Sequence, residues 1–126
     1  MALNHKLSRS LSIGGVTIGG TVQTIATDLA QVVSATVIGS DQEVDVHIDV
    51  SAVRVAAIEA DHDCTVEINT TSGVALELTA NVPLVWSYTD SEDLFLGASD
   101  ITKLYITTSG SLSTTVKLGV GVDATP

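Results

Sequence analysis

From Gln42 onward, apolar and polar residues alternate along the chain. Val44, Val46, Ile48 and Val50 interleave with Glu43, Asp45, His47 and Asp49. A period of two puts each set on its own side of an extended strand, so this segment predicts a half-buried strand with one wet face. Val53 to Ala60 predicts a second, more apolar strand, and Asp61-His62-Asp63 a turn. Cys64 to Asn69 predicts a third strand, with Val66 and Ile68 facing in and Thr65 and Glu67 out. After a turn at Thr70 to Gly73, Val74, Leu76 and Leu78 alternate with Ala75, Glu77 and Thr79. Asn81 to Pro83 breaks the run, and Leu84 to Ser87 is a short strand carrying Trp86. Tyr88 to Asp100 reads as an acidic loop with an apolar plug, Leu94, Phe95 and Leu96, at its middle. Lys103 to Thr107 and Thr114 to Val122 are the last strands, separated by a turn at Thr108 to Ser111. Val116, Leu118, Val120 and Val122 line the buried face of the final strand. Lys117, Gly119 and Gly121 line the other, where two glycines predict close approach of another backbone.

The first forty residues are less regular. Met1 to Ser10 holds His5, Lys6 and Arg9 and no acid. Leu11 to Thr24 contains Gly14-Gly15 and Gly19-Gly20, pairs that permit positive φ and suit hairpin turns or bulges. The segment predicts either a hairpin or an extended arm that orders against a partner. Between Thr21 and Ile38, the residues Val22, Ile25, Leu29, Val32 and Val33 fit a helical spacing. The threonines among them favour strand, and strands are preferred because the rest of the chain is β.

Composition supports the all-β reading. Val (17), Ile (9) and Thr (16) make up 42 of 126 residues, and these side chains suit a pleated surface. One Trp, two Tyr and one Phe leave the core to aliphatic residues. The length allows one domain of ordinary size. The expected architecture is a single antiparallel β-sandwich or barrel, jelly-roll-like, over residues 21–126, preceded by an arm or hairpin over residues 1–20. Five basic against fifteen acidic residues give a net charge of −10. That disfavours a nucleic-acid partner, whose phosphates require a basic footprint, and an anionic membrane surface. No apolar run approaches the roughly 18 residues of a membrane span, and nothing after Met1 reads as a signal peptide. The single cysteine, Cys64, excludes an internal disulfide and a multi-cysteine zinc cage.

Candidate chemistry is sparse. Asp61-His62-Asp63-Cys64 offers ligand types, but adjacent residues in a turn rarely converge on one ion. Glu43, Asp45, His47 and Asp49 share a strand face, spaced about 6.5–7 Å apart, without the cleft that an acid–base pair requires. Asp90, Glu92 and Asp93 lack the calcium-loop spacing. No phosphate loop, dinucleotide fingerprint or Gly-x-Ser-x-Gly is present. The residues predict no enzyme, metal or cofactor. Trp86 reads as a core residue before an interface anchor. A carbohydrate-binding or adhesin-like module is the second reading, with Trp86, Tyr88 and Tyr105 as its candidate sugar-stacking rings.

From Val53 onward the chain carries a "TVEIN" strand (Thr65 to Asn69), a "PLVW" segment (Pro83 to Trp86), "DITKLYITTSG" (Asp100 to Gly110) and a closing "DATP" (Asp123 to Pro126). In order and pattern this resembles small β-rich head proteins of tailed bacteriophages, of the capsid decoration, or cement, type. The resemblance implies a non-enzymatic virion protein that is made in the host cytoplasm. It would bind the major capsid protein on the capsid exterior as a homo-oligomer, a trimer before a dimer. The candidate contact residues are then His5, Lys6, Arg9, Leu11 and Ile13 of the arm, which has the composition to add a strand to a neighbour. Leu94, Phe95 and Leu96 form the second candidate contact.

Overall fold

The computed structural model describes residues 3–72, 75–90 and 100–123. The elements are strands β1 (Leu3–Leu7), β2 (Ser10–Ile13), β3 (Val16–Gly19), β4 (Gln23–Thr27), β5 (Leu29–Val37), β6 (Gln42–Ile48), β7 (Val53–Ala60), β8 (Cys64–Ile68), β9 (Ala75–Leu78), β10 (Leu84–Ser87), β11 (Ile101–Thr108) and β12 (Thr114–Val122). A 3-10 turn, Val50–Ala52, separates β6 from β7. Of the residues with helical spacing between Thr21 and Ile38, Ile25 lies in β4, Leu29, Val32 and Val33 lie in β5, and Val22 immediately precedes β4. Of them only Ile25 is buried, while Val22, Leu29 and Val32 face solvent.

The domain is two four-stranded antiparallel sheets, ordered β10-β7-β12-β5 and β6-β11-β8-β9. Its plan is a long antiparallel ribbon rolled up. The first strand of the roll pairs with the last (β5 with β12), the second with the next to last (β6 with β11), then β7 with β10 and β8 with β9. Rolling adds the pairs β12 with β7 and β11 with β8. This is the jelly-roll order of a two-sheet sandwich.

Alternation along each strand directs one face inward. Ala56, Ile58 and Ala60 of β7 and Val116, Leu118 and Val120 of β12 meet Val66 and Ile68 of β8 and Leu104 and Ile106 of β11 in one core. Two bulges shift the alternation where the roll turns. One, between Ile101 and Lys103, lets Ile101 join Leu104 in the core; the other, opposite Gly121 and Val122, does the same for Val53. Cys64 is buried at the start of β8, and Trp86 is half-buried, packed against the core and not within it.

The segment before β5 forms two small ribbons, β1 with β4 and β2 with β3. The β1–β4 ribbon lies on the outer face of the β10-β7-β12-β5 sheet. There His5 of β1 covers Gly121, and the Asp28 N–H donates to the Val122 carbonyl (3.2 Å). The close approach expected at Gly121 is therefore made by a side chain. A Cβ at this position would lie 2.7 Å from His5 Nε2 and 2.8 Å from Val55 Cγ1. Over Gly119, nothing lies within 4 Å.

These two glycines predict opposite outcomes. Gly121→Ala is expected to destabilise the domain by about 1–3 kcal/mol, because the ribbon or Val55 must move. Gly119→Ala is expected to stabilise it by about 0.5–1 kcal/mol. Urea denaturation of both variants checks this; equal shifts would show that the ribbon does not rest on β12.

Candidate interaction surface

Gly14 and Gly15 both have positive φ, 57° and 82°, and make the two-residue turn that matches the twist of a hairpin. That turn sets the register of β2 against β3, pairing Ile13 with Val16 and Leu11 with Ile18. Directly paired residues share a face, as do residues two apart. Leu11, Ile13, Val16 and Ile18 therefore form one wholly apolar face, and Ser10, Ser12, Thr17 and Gly19 the other. The apolar four are 58%, 60%, 61% and 60% exposed. Every residue of the two strands is exposed, so the hairpin stands clear of the sandwich.

Its base is fastened. The Gly20 N–H donates to the Arg9 carbonyl (2.7 Å), and Gly19 backs so closely on that carbonyl that no Cβ fits. Arg9 Nη2 reaches both oxygens of Asp90, at 2.9 and 3.1 Å. Asp90 also accepts the Ser87 N–H at the end of β10 (2.9 Å). Hydrogen bonding from Arg9 is the main cause that holds the Asp90 carboxyl below its ordinary pKa; desolvation opposes it, and the Ser87 backbone N–H adds to it. Gln23 Nε2 donates to Thr89 Oγ1 (3.1 Å) beside it.

The two other polar groups expected on the arm, His5 and Lys6, hold the β1–β4 ribbon together. Thr27 Oγ1 donates to the Leu29 carbonyl (3.1 Å), so it accepts from His5 Nε2 at 2.6 Å. Lys6 Nζ donates to Thr24 Oγ1 (3.0 Å). Of the expected contact residues, His5, Lys6 and Arg9 are thus engaged within the chain, whereas Leu11 and Ile13 are open. Leu94, Phe95 and Leu96 lie outside the described residues. Val16 and Ile18 complete the face and were missed by the sequence reading. The Gly-Gly turn was the signal that could have found them, since it fixes which residues lie opposite.

The polar clusters are structural. Asp61 Oδ1 accepts from the Thr115 N–H (2.8 Å) and contacts His62 Nδ1 (3.1 Å); Asp63 Oδ1 accepts from the Ala80 N–H (2.8 Å). Burial, with Asp63 nearby, pushes the Cys64 thiol pKa up, away from reactivity. On the wet face of β6, Lys103 Nζ bridges Glu43 (2.9 Å) and Asp45 (3.2 Å), and the Tyr105 hydroxyl donates to Glu43 (3.2 Å). The Lys103 hydrogen bond lowers the Glu43 pKa, and its two carboxylate partners raise that of Lys103. A groove of about 400 Å³ at the sandwich corner holds His47, Asp49 and Ser51. There Asp49 Oδ1 takes the Ser51 hydroxyl directly (2.6 Å) and caps the 3-10 turn through the Ser51 N–H (3.1 Å). Among the described residues, no group of three or more His, Cys, Asp or Glu is arranged to hold a metal ion.

No protein-family model and no curated protein matches the sequence. Among solved structures, the chain is similar to one from Bacillus endospore appendages, described as a novel family of disulfide-linked pili. The identity is 7% and the TM-score 0.36, over 77% of this chain and 90% of that one. A likeness of that degree carries no argument about this protein.

The Arg9–Asp90 pair predicts a pH dependence. The Asp90 pKa is lowered in the folded state, so the pair stabilises the fold above the unfolded value, about 3.9. That contribution is lost as pH falls through the lowered folded value. With Arg9 48% exposed, it amounts to no more than about 1 kcal/mol. In an NMR titration, Arg9→Ala is expected to move the Asp90 midpoint upward; an unmoved midpoint would assign the shift to the backbone alone.

Proposed function

We propose that the protein is a non-enzymatic structural subunit that binds the outside of a bacteriophage capsid as a decoration, or cement, protein and stabilises the shell. The observation that carries this reading is the hairpin Ser10–Gly19, which holds an all-apolar face out from a rigid sandwich. An exposed two-stranded hairpin is marginal in water unless its face is covered, so this one suits a contact with another protein. The order of features from Val53 to Pro126, which resembles that of phage head proteins, supports this reading. Jelly-roll sandwiches recur in viral capsid domains, and that analogy of fold leans the same way without deciding function. The partner on this reading is the major capsid protein. Many copies on one shell convert a modest single contact into firm attachment.

Jelly rolls also recur in lectins. Of the rings that would stack on sugars, Trp86 is half-buried against the core and the Tyr105 hydroxyl is held by Glu43. Tyr88 is 55% exposed, with the Arg54 guanidinium 5.7 Å from its ring centre. One open ring is thin provision for glycan binding.

The test is the protein composition of purified particles from the source culture. A fixed high ratio to the major capsid protein is expected, and absence from particles despite abundance in the lysate overturns the reading. Arg9 and Gly20 are already hydrogen-bonded across the hairpin base, so residues 10–19 can be replaced by a two-residue turn. The excised protein is expected to keep its β circular dichroism and to lose binding to undecorated shells. Unimpaired binding would remove the hairpin from the shell contact.

A further inference from the structure

The β1–β4 ribbon crosses the outer face of the β10-β7-β12-β5 sheet from one edge to the other. At one end Thr27 of β4 leads into β5, and the Asp28 N–H donates to the Val122 carbonyl of β12. At the other end Gln23 of β4 donates to Thr89, just past β10. Between these ends, His5 of β1 stands over Gly121 of β12, beside Val55 of β7. Ribbon and sheet therefore pack close to a right angle. Two residues further along each sheet strand lies the next outward row, Val32, Gly119, Ala57 and Val85, which runs alongside β1. Val32 is 78% exposed, and among the described residues nothing comes within 4 Å of a Cβ built at Gly119. A groove of about 330 Å³ lies between this row and β1. It touches His5, Lys6 and Leu7, three consecutive residues, and none of β4. Successive side chains of a strand point to opposite faces, so three in a row border a groove along the strand's backbone edge. β4 holds the other edge of β1; among the described residues, no strand pairs with this one.

We propose that this groove receives an extended segment of another protein, which adds to β1 as a third strand of the ribbon and lays alternate apolar side chains on the Val32–Gly119–Ala57–Val85 row. A strand hydrogen-bonded to β1 lies about 4.8 Å beyond it, and the bare row lies about 6.5–7 Å beyond the Gly121 row, so the added strand comes over it. Crossing four sheet strands takes three spacings, about 14 Å, or four to five extended residues. β1 offers five. A glycine inside a central strand marks a place where another backbone comes close. Gly121 has such cover from β1, and Gly119 has the room for it.

Charge fixes the chemistry of the segment. His5 faces the sheet, so its neighbour Lys6 lies on the solvent side of the ribbon, where Nζ donates to Thr24 across β4. A strand added to the open edge places a side chain on the other flank of Lys6. The chain carries a net charge of −10, yet the groove is lined by Lys6 and by no acid. Opposite charges paired directly across two strands stabilise them, and like charges oppose pairing. The segment is therefore apolar at alternate positions and acidic at the position beside Lys6. Main-chain hydrogen bonds to β1 hold it, and the glycine and alanine floor with the lysine at its rim selects it.

The inference stands apart from the shell reading, and its test uses the isolated full chain, so that either can fail alone. The probe is a blocked, fluorescein-labelled heptapeptide that alternates valine with polar residues, glutamate at the centre and threonine on either side. Fluorescence polarisation is expected to show saturable binding. Gly119→Phe, which fills the groove floor, is expected to weaken it at least about tenfold with β circular dichroism retained. If Gly119→Phe fails to fold, Val32→Lys at the rim reads the same row. Lys6→Glu is expected to reverse the preference, so that a lysine-centred peptide binds more tightly than the glutamate one. Methylating the amide nitrogens of the odd or of the even residues is expected to give affinities at least about tenfold apart, because a paired strand turns alternate amides to opposite sides. No saturable binding up to about 1 mM, or binding that neither groove variant weakens, overturns the inference, as do equal affinities for the two methylated peptides. A wild type that self-associates and is dispersed by Gly119→Phe would also overturn it, because the groove would then hold a strand of a second copy.

Discussion

The pairing of β5 with β12 is the contact on which the architecture depends. Nine residues of each strand run antiparallel, from Thr114 opposite Val37 to Val122 opposite Leu29. This pairing closes the ends of the rolled ribbon and gives β12 its second neighbour after β7. Without it, Val116, Leu118 and Val120 would belong to a sheet edge, and the outer row through Val32 and Gly119 would not exist. The partners are far apart in sequence, so chain entropy must be lost before the core rewards it. Small aliphatic side chains suit such closure, since two sheets about 10 Å apart are filled by Val, Ile, Leu and Ala without large rings.

Polar residues serve this frame at its corners. Asp61 and Asp63 accept backbone N–H groups from Thr115 and Ala80, tying the β7–β8 turn to β12 and to the chain after β9. Asn69, in the left-handed region at φ 68°, accepts from the Thr102 N–H (2.9 Å) and donates to the Asp100 carbonyl (3.0 Å), pinning the start of β11. Thr108 does the same at the other end of β11, accepting from the Gly39 N–H at 2.8 Å. Asp61 and Asp63, which look like candidate ligands in one dimension, are thus hydrogen-bond acceptors that end strands.

The chain is divided in its surface chemistry. Fourteen of its fifteen acids lie from Asp41 onward in the sequence, whereas the hairpin and β5 carry no charged residue. Acidic surfaces keep copies apart in solution, and uncharged apolar strands are where contact costs least desolvation of ions. The long edge of β5, free of charge and of proline, is the kind of strand that isolated proteins protect. The hairpin, whose base is fastened beside the end of β10 at the other edge of the same sheet, is likewise free of charge.

Much of the fold was legible in the amino-acid order. Alternation identified β6, β8 and β12 with their buried faces, because a half-buried strand needs a period of two whatever its neighbours. β-Branched composition settled the class, and the Gly14-Gly15 pair announced a turn. The sequence left Thr21 to Ile38 ambiguous because its apolar residues satisfy two periods, and burial of Ile25 with exposure of Val32 resolves that only once neighbours are in place. Strand order, the two bulges, and the face shared by Leu11, Ile13, Val16 and Ile18 came from the tertiary structure. So did the difference between Gly121, covered by His5, and Gly119, left bare. Period is a property of one strand, readable along the chain; the space above a glycine is decided by residues a hundred positions away, which only packing brings together.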